Sequence, residues 1–242
     1  MTSTASNIHN LVSLWKAVTA PRSTYFERES WGYCYVSGSH WPNKLWTGVE
    51  LSESMLQEMV AVIQDNKDPL TFSYFDDLNN KNLDSTLQDY FMPASIQYGM
   101  SLDLTQSYEE NTELEFRQVA NEQDAAIWSR NFEQAFGYEI SPAIIFDNLI
   151  EISFINIYTG QQAIGTMMLY ATGEVLGIHG LGVVPEGRGK GVAKAAMHHA
   201  LNQGYQQGAE LVTLQASEMA KSMYEKLGFS TQFIMRNYKI KQ

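Results

Sequence analysis

Leu181-Gly182-Val183-Val184-Pro185-Glu186-Gly187-Arg188-Gly189-Lys190-Gly191-Val192-Ala193 reads as an apolar strand end, a proline stop, a short basic turn and the start of a helix. Glycines at 187, 189 and 191 remove Cβ atoms, so the backbone can turn tightly and lie against a ligand. The first amides of a helix have no internal partners and sit at the positive end of the helix dipole. Arg188 and Lys190 add mobile positive charge at the same place. The local chemistry is that of a phosphate or pyrophosphate cradle.

Three phosphate-binding patterns can be laid over this stretch. A P-loop needs GxxxxGK followed by Ser or Thr. From Gly182 the chain offers Arg188 for the lysine and Gly189 for the hydroxyl residue, which leaves nothing to hold magnesium. A dinucleotide fingerprint starting at Gly187 meets Val192 at its third glycine, and one starting at Gly189 meets Lys194. Its acidic residue could only be Glu210, which opens the next strand instead of closing it. The third pattern, Arg/Gln-x-x-Gly-x-Gly/Ala, is met at every fixed position by Arg188-Gly189-Lys190-Gly191-Val192-Ala193.

That pattern is the pyrophosphate signature of the GNAT N-acetyltransferase family, which this region closely resembles. About thirty residues on, Ala220-Lys221-Ser222-Met223-Tyr224-Glu225-Lys226-Leu227-Gly228-Phe229 is similar to the family's second signature, A-x-x-x-Y-x-x-x-G-F. The resemblance covers roughly residues 115–242. It implies an α/β (α+β) GNAT fold, a mixed central sheet flanked by helices.

Length and composition set the bounds. The 242 residues, 44% hydrophobic, have ample capacity for a packed core, as one large domain or two small ones. A single cysteine, Cys34, excludes an intramolecular disulfide framework and suits a reducing compartment. No apolar run approaches the roughly 20 residues that span a bilayer. MTSTASNIHN has neither a basic nor an apolar secretory region, so a cytoplasmic protein without membrane contact is expected. Of the net charge of −11, residues 1–114 carry −9 (six basic, fifteen acidic) and residues 115–242 carry −2 (ten basic, twelve acidic). This argues against nucleic acid, whose binding rests largely on phosphate neutralisation. It is compatible with a cationic amine, and acidity that simply keeps the chain soluble explains most of it.

The first half reads as a small α/β domain. Ile8, Leu11, Val12, Leu14 and Trp15 have helical spacing over residues 6–18. Tyr33–Val36 and Lys44–Val49 read as a hairpin, and Ser52 caps an amphipathic helix, Glu53–Asn66. A strand at Leu70–Phe75, a polar loop at Asn79–Asn82, a short helix near Leu83–Tyr90 and a strand at Ala94–Leu104 follow. Tyr33, Tyr35, Trp41 and Trp46 offer either a core or an amine-binding surface. This order echoes the second half of a GNAT domain without its cofactor motif, so residues 1–104 are expected to be a divergent, degenerate GNAT-like domain. An unrelated α/β cap is the alternative. The acidic, polar stretch 105–114 is the expected linker, and residues 115–242 the GNAT domain.

From Glu115 the order matches the GNAT plan. A strand at Leu114–Val119 precedes a helix opened by Asp124 after Asn121 and stopped by Gly137. Ser141-Pro142 start a second helix. Three antiparallel strands, Ile152–Tyr158, Ala163–Ala171 and Glu174–Val184, lead to the cradle. Then come a helix at Val192–Gly204, a strand at Glu210–Gln215, a helix at Met219–Leu227 and a last strand at Phe229–Ile240.

The resemblance implies acetyl transfer from acetyl-CoA to a primary amine, by direct attack and without a covalent enzyme intermediate. The acceptor would be a small molecule or a peptide. Arg188, Gly189, Lys190, Gly191, Val192 and Ala193 would bind the pyrophosphate, and Leu181, Gly182, Val183 and Val184 would offer main-chain groups to the pantetheine arm. Gly177, Gly180 and Gly182 in one strand point to a bulge or a close backbone approach. Tyr224 matches the tyrosine that protonates the leaving thiolate, with packing as its alternative role. Ser217 stands where many members have a cofactor-contacting Asn, and is shorter. For the base, His179 has a suitable pKa range and Glu174 could act through water, while a strand histidine is more often structural. His198 and His199 are adjacent on a helix and cannot share a ligand. They read as solvent-edge residues. No ligand cluster for a metal is expected. A non-catalytic acyl-CoA-binding or regulatory module is the rival reading, against which Tyr224 speaks. Nothing in the sequence sets the oligomeric state.

Overall fold

The computed structural model describes residues 1–22, 24–77, 83–110 and 113–241. Along the chain the elements are α1 (Ser3–Thr19), β1 (Tyr25–Glu27), β2 (Trp31–Cys34), β3 (Lys44–Thr47), α2 (Glu53–Asp65), β4 (Thr71–Asp76), α3 (Leu83–Leu87) and β5 (Phe91–Asp103). The path continues through β6 (Leu114–Gln118), α4 (Glu122–Phe136), α5 (Pro142–Asp147), β7 (Ser153–Thr159), β8 (Gln162–Thr172) and β9 (Val175–Val183). It ends with α6 (Val192–Gln206), β10 (Leu211–Ser217), α7 (Glu218–Lys226) and β11 (Ser230–Ile240). The chain divides into two compact units, each assembled from two segments: Met1–Val18 with Ser101–Leu214, and Thr19–Met100 with Gln215–Gln242. Both of the stretches expected as domains, 1–104 and 115–242, therefore contribute to both units.

In the first unit a mixed sheet runs in the order β10-β9-β8-β7-β6, antiparallel from β6 to β9 and parallel between β9 and β10. Local signals set the helix ends. Asn121 Oδ1 accepts from the Asp124 amide at 2.9 Å, and Gly137 closes α4 in the left-handed region at φ 80°. Ser141 caps α5, with proline at the first helical position. Trp128 and Phe132 of α4 are buried and stacked at 5.0 Å, and Trp128 Nε1 donates to the Met167 carbonyl, so its polar edge is satisfied inside the core. The small residues of α6 let it lie close to the sheet: a Cβ on Gly204 would come within 2.8 Å of Leu176 Cδ2.

The expected linker is docked, as far as its described residues 105–110 show. The Asn202 side chain on α6 accepts from the Tyr108 amide at 2.7 Å and donates to the Tyr108 carbonyl at 2.8 Å. His198 Nδ1 donates to the Glu109 carbonyl at 2.7 Å, and His199 stacks on Phe116 at 4.1 Å. Both histidines, expected at a solvent edge, are half-buried and occupied. Burial lowers the His199 pKa, and Glu110 opposes that shift.

In the second unit the strand order is β1-β2-β3-β4-β11-β5, with β3 and β4 parallel and β11 antiparallel to β4. β11, from the far end of the sequence, is thus paired with Thr71–Asp76 from the first half. The apolar side of α2 (Leu56, Met59, Ile63) packs on Leu45, Phe72, Phe91 and Tyr238. Ser52 Oγ caps that helix as expected, accepting from the Met55 amide at 3.2 Å. Trp46 is buried and packs against Tyr25, so it builds core, while half-buried Tyr33 stacks between exposed Phe26 and buried Trp31. A polar row accompanies them. Ser73 Oγ and Lys44 Nζ both donate to Asn237 Oδ1, at 2.6 and 3.3 Å, and burial lowers the Lys44 pKa to about 8. The expected polar loop at 79–82 lies outside the described residues.

Candidate functional site

The site is built on β9 and the turn that follows it. Between the register pairs Met168↔His179 and Thr166↔Gly182, one intervening residue of β8 faces two of β9. That extra residue is a β-bulge, and Gly180 occupies it at φ 55°, a conformation L side chains rarely adopt. The Thr166 hydroxyl donates to the Gly180 carbonyl at 2.9 Å and fixes the bulge. On its other edge β9 pairs with β10 only from Val175 to Gly177. From Ile178 to Val183 the β10-side edge of β9 lies beyond that ladder. Opposite Gly177, Thr213 on β10 is fully buried, and its hydroxyl has no hydrogen-bond partner among the described residues.

Leu181 and Val183 are half-buried, Gly182 and Val184 buried. A Cβ at Gly182 would meet Ala135 Cβ at 2.7 Å and Phe136 Cε2 at 2.5 Å, so the missing side chain admits the end of α4. A 3-10 turn, Pro185–Gly187, then carries the chain to the glycines. The three glycines divide into two kinds. Gly187 is buried, and a Cβ there would lie 2.9 Å from Val183 Cγ1. Gly189 and Gly191 have φ of 75° and 77° with nothing within 4 Å of an added Cβ. They serve backbone conformation, and the space around them is open.

Gly191 is the N-cap of α6, and no side chain caps that end. The first intrahelical bond runs from the Ala195 amide to the Gly191 carbonyl. The amides of Val192, Ala193 and Lys194 therefore have no partner within the helix, and they stand at the positive end of a 15-residue dipole. Lys190 is exposed beside them. Arg188 is not the mobile cation expected from sequence: its Nε donates to the Val183 carbonyl at 3.1 Å and its Nη2 to the Ala135 carbonyl at 3.3 Å. The guanidinium thus ties the turn to the end of β9 and caps the Ala135 carbonyl near the C-terminal end of α4.

The base candidates fall elsewhere on β9. His179 is buried, with Nε2 3.0 Å from Asn10 Oδ1 of α1. Glu174 is exposed in the turn before β9, and its carbonyl accepts from the Glu210 amide at 2.9 Å. At the strand rise of about 3.3 Å per residue, Glu174 stands about 30 Å along β9 from Val183. Neither Asn10 nor Ala135 was marked by sequence, because both act through contacts that no local spacing announces.

Ser217 and Tyr224, the other two residues expected at the site from sequence, belong to the second unit. Ser217 is exposed at the N-cap of α7, and its hydroxyl caps nothing. Tyr224 on α7 is buried, 5.9 Å from the Phe229 ring in an edge-to-face contact, and burial raises its pKa to about 12. Its phenol is protonated throughout the neutral range.

The donors of this site fit an acyl-CoA. The uncapped amides of α6 suit a pyrophosphate, and the β9 edge beyond Gly177 suits an amide-bearing arm. Among the described residues no group of three or more His, Cys, Asp or Glu could hold a metal, and no helix is long and apolar enough to cross a membrane.

Residues 114–229 match the model of the acetyltransferase (GNAT) family, and the chain carries a domain of that family. Members of that family use acetyl-CoA, and the match supports an acyltransferase. The fold is shared with solved structures at low identity. A GCN5-related N-acetyltransferase from Kribbella flavida aligns over 96% of this chain and 95% of its own, with TM-score 0.70 and 14% identity. One from Sphaerobacter thermophilus aligns over 87% and 76%, with TM-score 0.66 and 16% identity. A tandem GNAT protein from the clavulanic acid biosynthesis pathway aligns over 86% and 77%, with TM-score 0.60 and 10% identity. No curated protein matches the sequence at a significant level.

Proposed function

We propose that the protein is an N-acetyltransferase that moves the acetyl group of acetyl-CoA to a primary amine by direct attack. The observation that carries this reading is the continuous path from the β9 edge beyond Gly177, through the Gly180 bulge, to the uncapped N-terminus of α6. Amides at that terminus would hold the pyrophosphate, with Lys190 supplying charge at long range. Main-chain groups of Leu181 to Val184 would take the pantetheine amides. The thioester supplies the acetyl group. Tyr224, kept neutral by burial, is the proposed proton donor to the departing thiolate. Only Cys34 carries a thiol, and it is buried with its pKa raised to about 12, which supports direct attack over a thioester enzyme. The acidic surface, net −11 over the chain, supports a cationic acceptor such as a small amine or an amine-bearing peptide.

The test is a panel of primary amines incubated with acetyl-CoA, with release of free thiol followed against enzyme-free controls. Acceptor-dependent thiol release supports the reading. Tight acetyl-CoA binding without turnover on any amine would favour a non-catalytic acyl-CoA-binding module.

A further inference from the structure

The N-terminal helix reaches the bulged strand through one side chain. Asn10 is fully buried, and its Nδ2 donates to the Tyr170 carbonyl and to Thr172 Oγ1, both at 3.0 Å. A backbone carbonyl only accepts, so the amide orientation is settled, and Oδ1 is the atom that faces His179 Nε2 at 3.0 Å. His179 must therefore carry its proton on Nε2 and donate it to Asn10. Gly177 makes the contact possible: a Cβ there would lie 1.9 Å from Asn10 Oδ1 and 2.3 Å from His179 Nε2.

The place of this contact on β9 matters. Gly177 is the last residue of β9 paired with β10, and His179 is the last register partner of β8 before the bulge at Gly180. At that step β9 loses the support of β10 and gains α1 instead. Tyr170 Oη adds a second tie to the same helix, donating to the Ser13 carbonyl at 3.4 Å.

We propose that Asn10 and His179 are a positioning pair, through which the N-terminal helix holds β9 in register for the acyl-CoA arm. In this role His179 acts as a hydrogen-bond donor and not as the base. The inference rests on the acyl-CoA reading and extends it to Asn10, which lies outside the family match over residues 114–229.

Four variants of the whole 242-residue chain and one spectrum test it. In the wild type at neutral pH, long-range proton–nitrogen correlation of the His179 ring should show Nε2 protonated. A ring protonated on Nδ1 alone would overturn the pair. His179→Ala removes the donor and leaves a buried acceptor unpaired, so acetyl-CoA affinity measured by calorimetry should fall about tenfold. Asn10→Ala should do the same, and the double variant should be no worse than either alone. Gln carries Nε2 the same number of bonds from Cα as His does. His179→Gln should therefore recover affinity to within about threefold of wild type, with the pH profile of kcat unchanged.

Equal and severe loss of kcat in His179→Ala and His179→Gln, with affinity intact, would make His179 the base and overturn the inference. Additive losses in the double variant would show two independent residues, which also overturns it. Circular dichroism checks each fold, and His179→Gln keeps the test open if an alanine variant fails to fold. Wild-type protein that binds no acetyl-CoA would remove the acyl-CoA reading itself. Wild-type binding with unaffected variants would remove the positioning pair alone.

Discussion

Replacing Arg188 separates a latch from a charge. The guanidinium donates from two different nitrogens to two carbonyls, Val183 at 3.1 Å and Ala135 at 3.3 Å, and it is exposed. Intramolecular hydrogen bonds contribute about 0.5–1.5 kcal/mol each, and solvent competes here, so the pair together is worth about 1–2 kcal/mol. For a chain of this size that corresponds to a fall in Tm of about 2–8 °C in Arg188→Ala. The loosened turn should also cost acetyl-CoA affinity, by about three- to tenfold, as its amides lose their fixed direction. Arg188→Lys is the informative partner. It keeps the charge, but one ammonium on a flexible stem cannot reproduce a planar fork that spans both carbonyls. Arg188→Lys should therefore behave like Arg188→Ala in Tm and recover little affinity. Differential scanning calorimetry and ligand titration on the three proteins decide it. If Arg188→Lys matches wild type while Arg188→Ala does not, the charge is what counts and the latch is refuted.

Other outcomes follow from the same geometry. Tyr224→Phe keeps the ring packed on Phe229 and should lower kcat about 10²-fold with little change in acetyl-CoA affinity. Full activity would return Tyr224 to packing. The same variant has a stability signature. Burial raises the Tyr224 pKa from 10.0 to about 12, so between those values the unfolded chain binds fewer protons than the folded one. Stability must fall there as pH rises. Denaturant titrations from pH 9 to 12 should show a shallower alkaline loss in Tyr224→Phe than in wild type, and equal slopes would contradict the burial. Finally, β11 pairs with Thr71–Asp76, and Met1–Val18 belongs to the first unit, so a 115–242 fragment lacks partners for both. It should show no cooperative thermal transition. A cooperative transition with acetyl-CoA binding would contradict the segment exchange.

What was legible in the sequence was local. Ser52, Asn121 with Gly137, and Ser141-Pro142 mark helix ends because capping is decided within four residues, and each lies where its spacing said. The glycines of β9 announced a bulge or close approach for the same reason, since the bulge here uses a left-handed residue and Gly180 supplies it. The family match over 114–229 bears out the two motifs that pointed to it. What stayed hidden was long-range. Asn10 and His179 are 169 residues apart, and β11 joins a strand more than 150 residues earlier, so no window of sequence contains both partners. Arg188 misled in a different way. A basic residue in a glycine turn has the same one-dimensional signature whether it waits for an anion or is tied to two carbonyls.

The exposed setting of Gly191 allows the most direct test of the cradle. Nothing lies within 4 Å of a Cβ there, so Gly191→Glu brings a carboxylate to the uncapped end of α6 without disturbing packed atoms. Its left-handed backbone costs about 1–2 kcal/mol of stability, which leaves a folded protein to measure. Isothermal titration of acetyl-CoA into wild type should give one site per chain, and into Gly191→Glu a loss of affinity of at least about 100-fold. Unchanged affinity in the folded variant would contradict the assignment of the α6 N-terminus as the seat of the pyrophosphate.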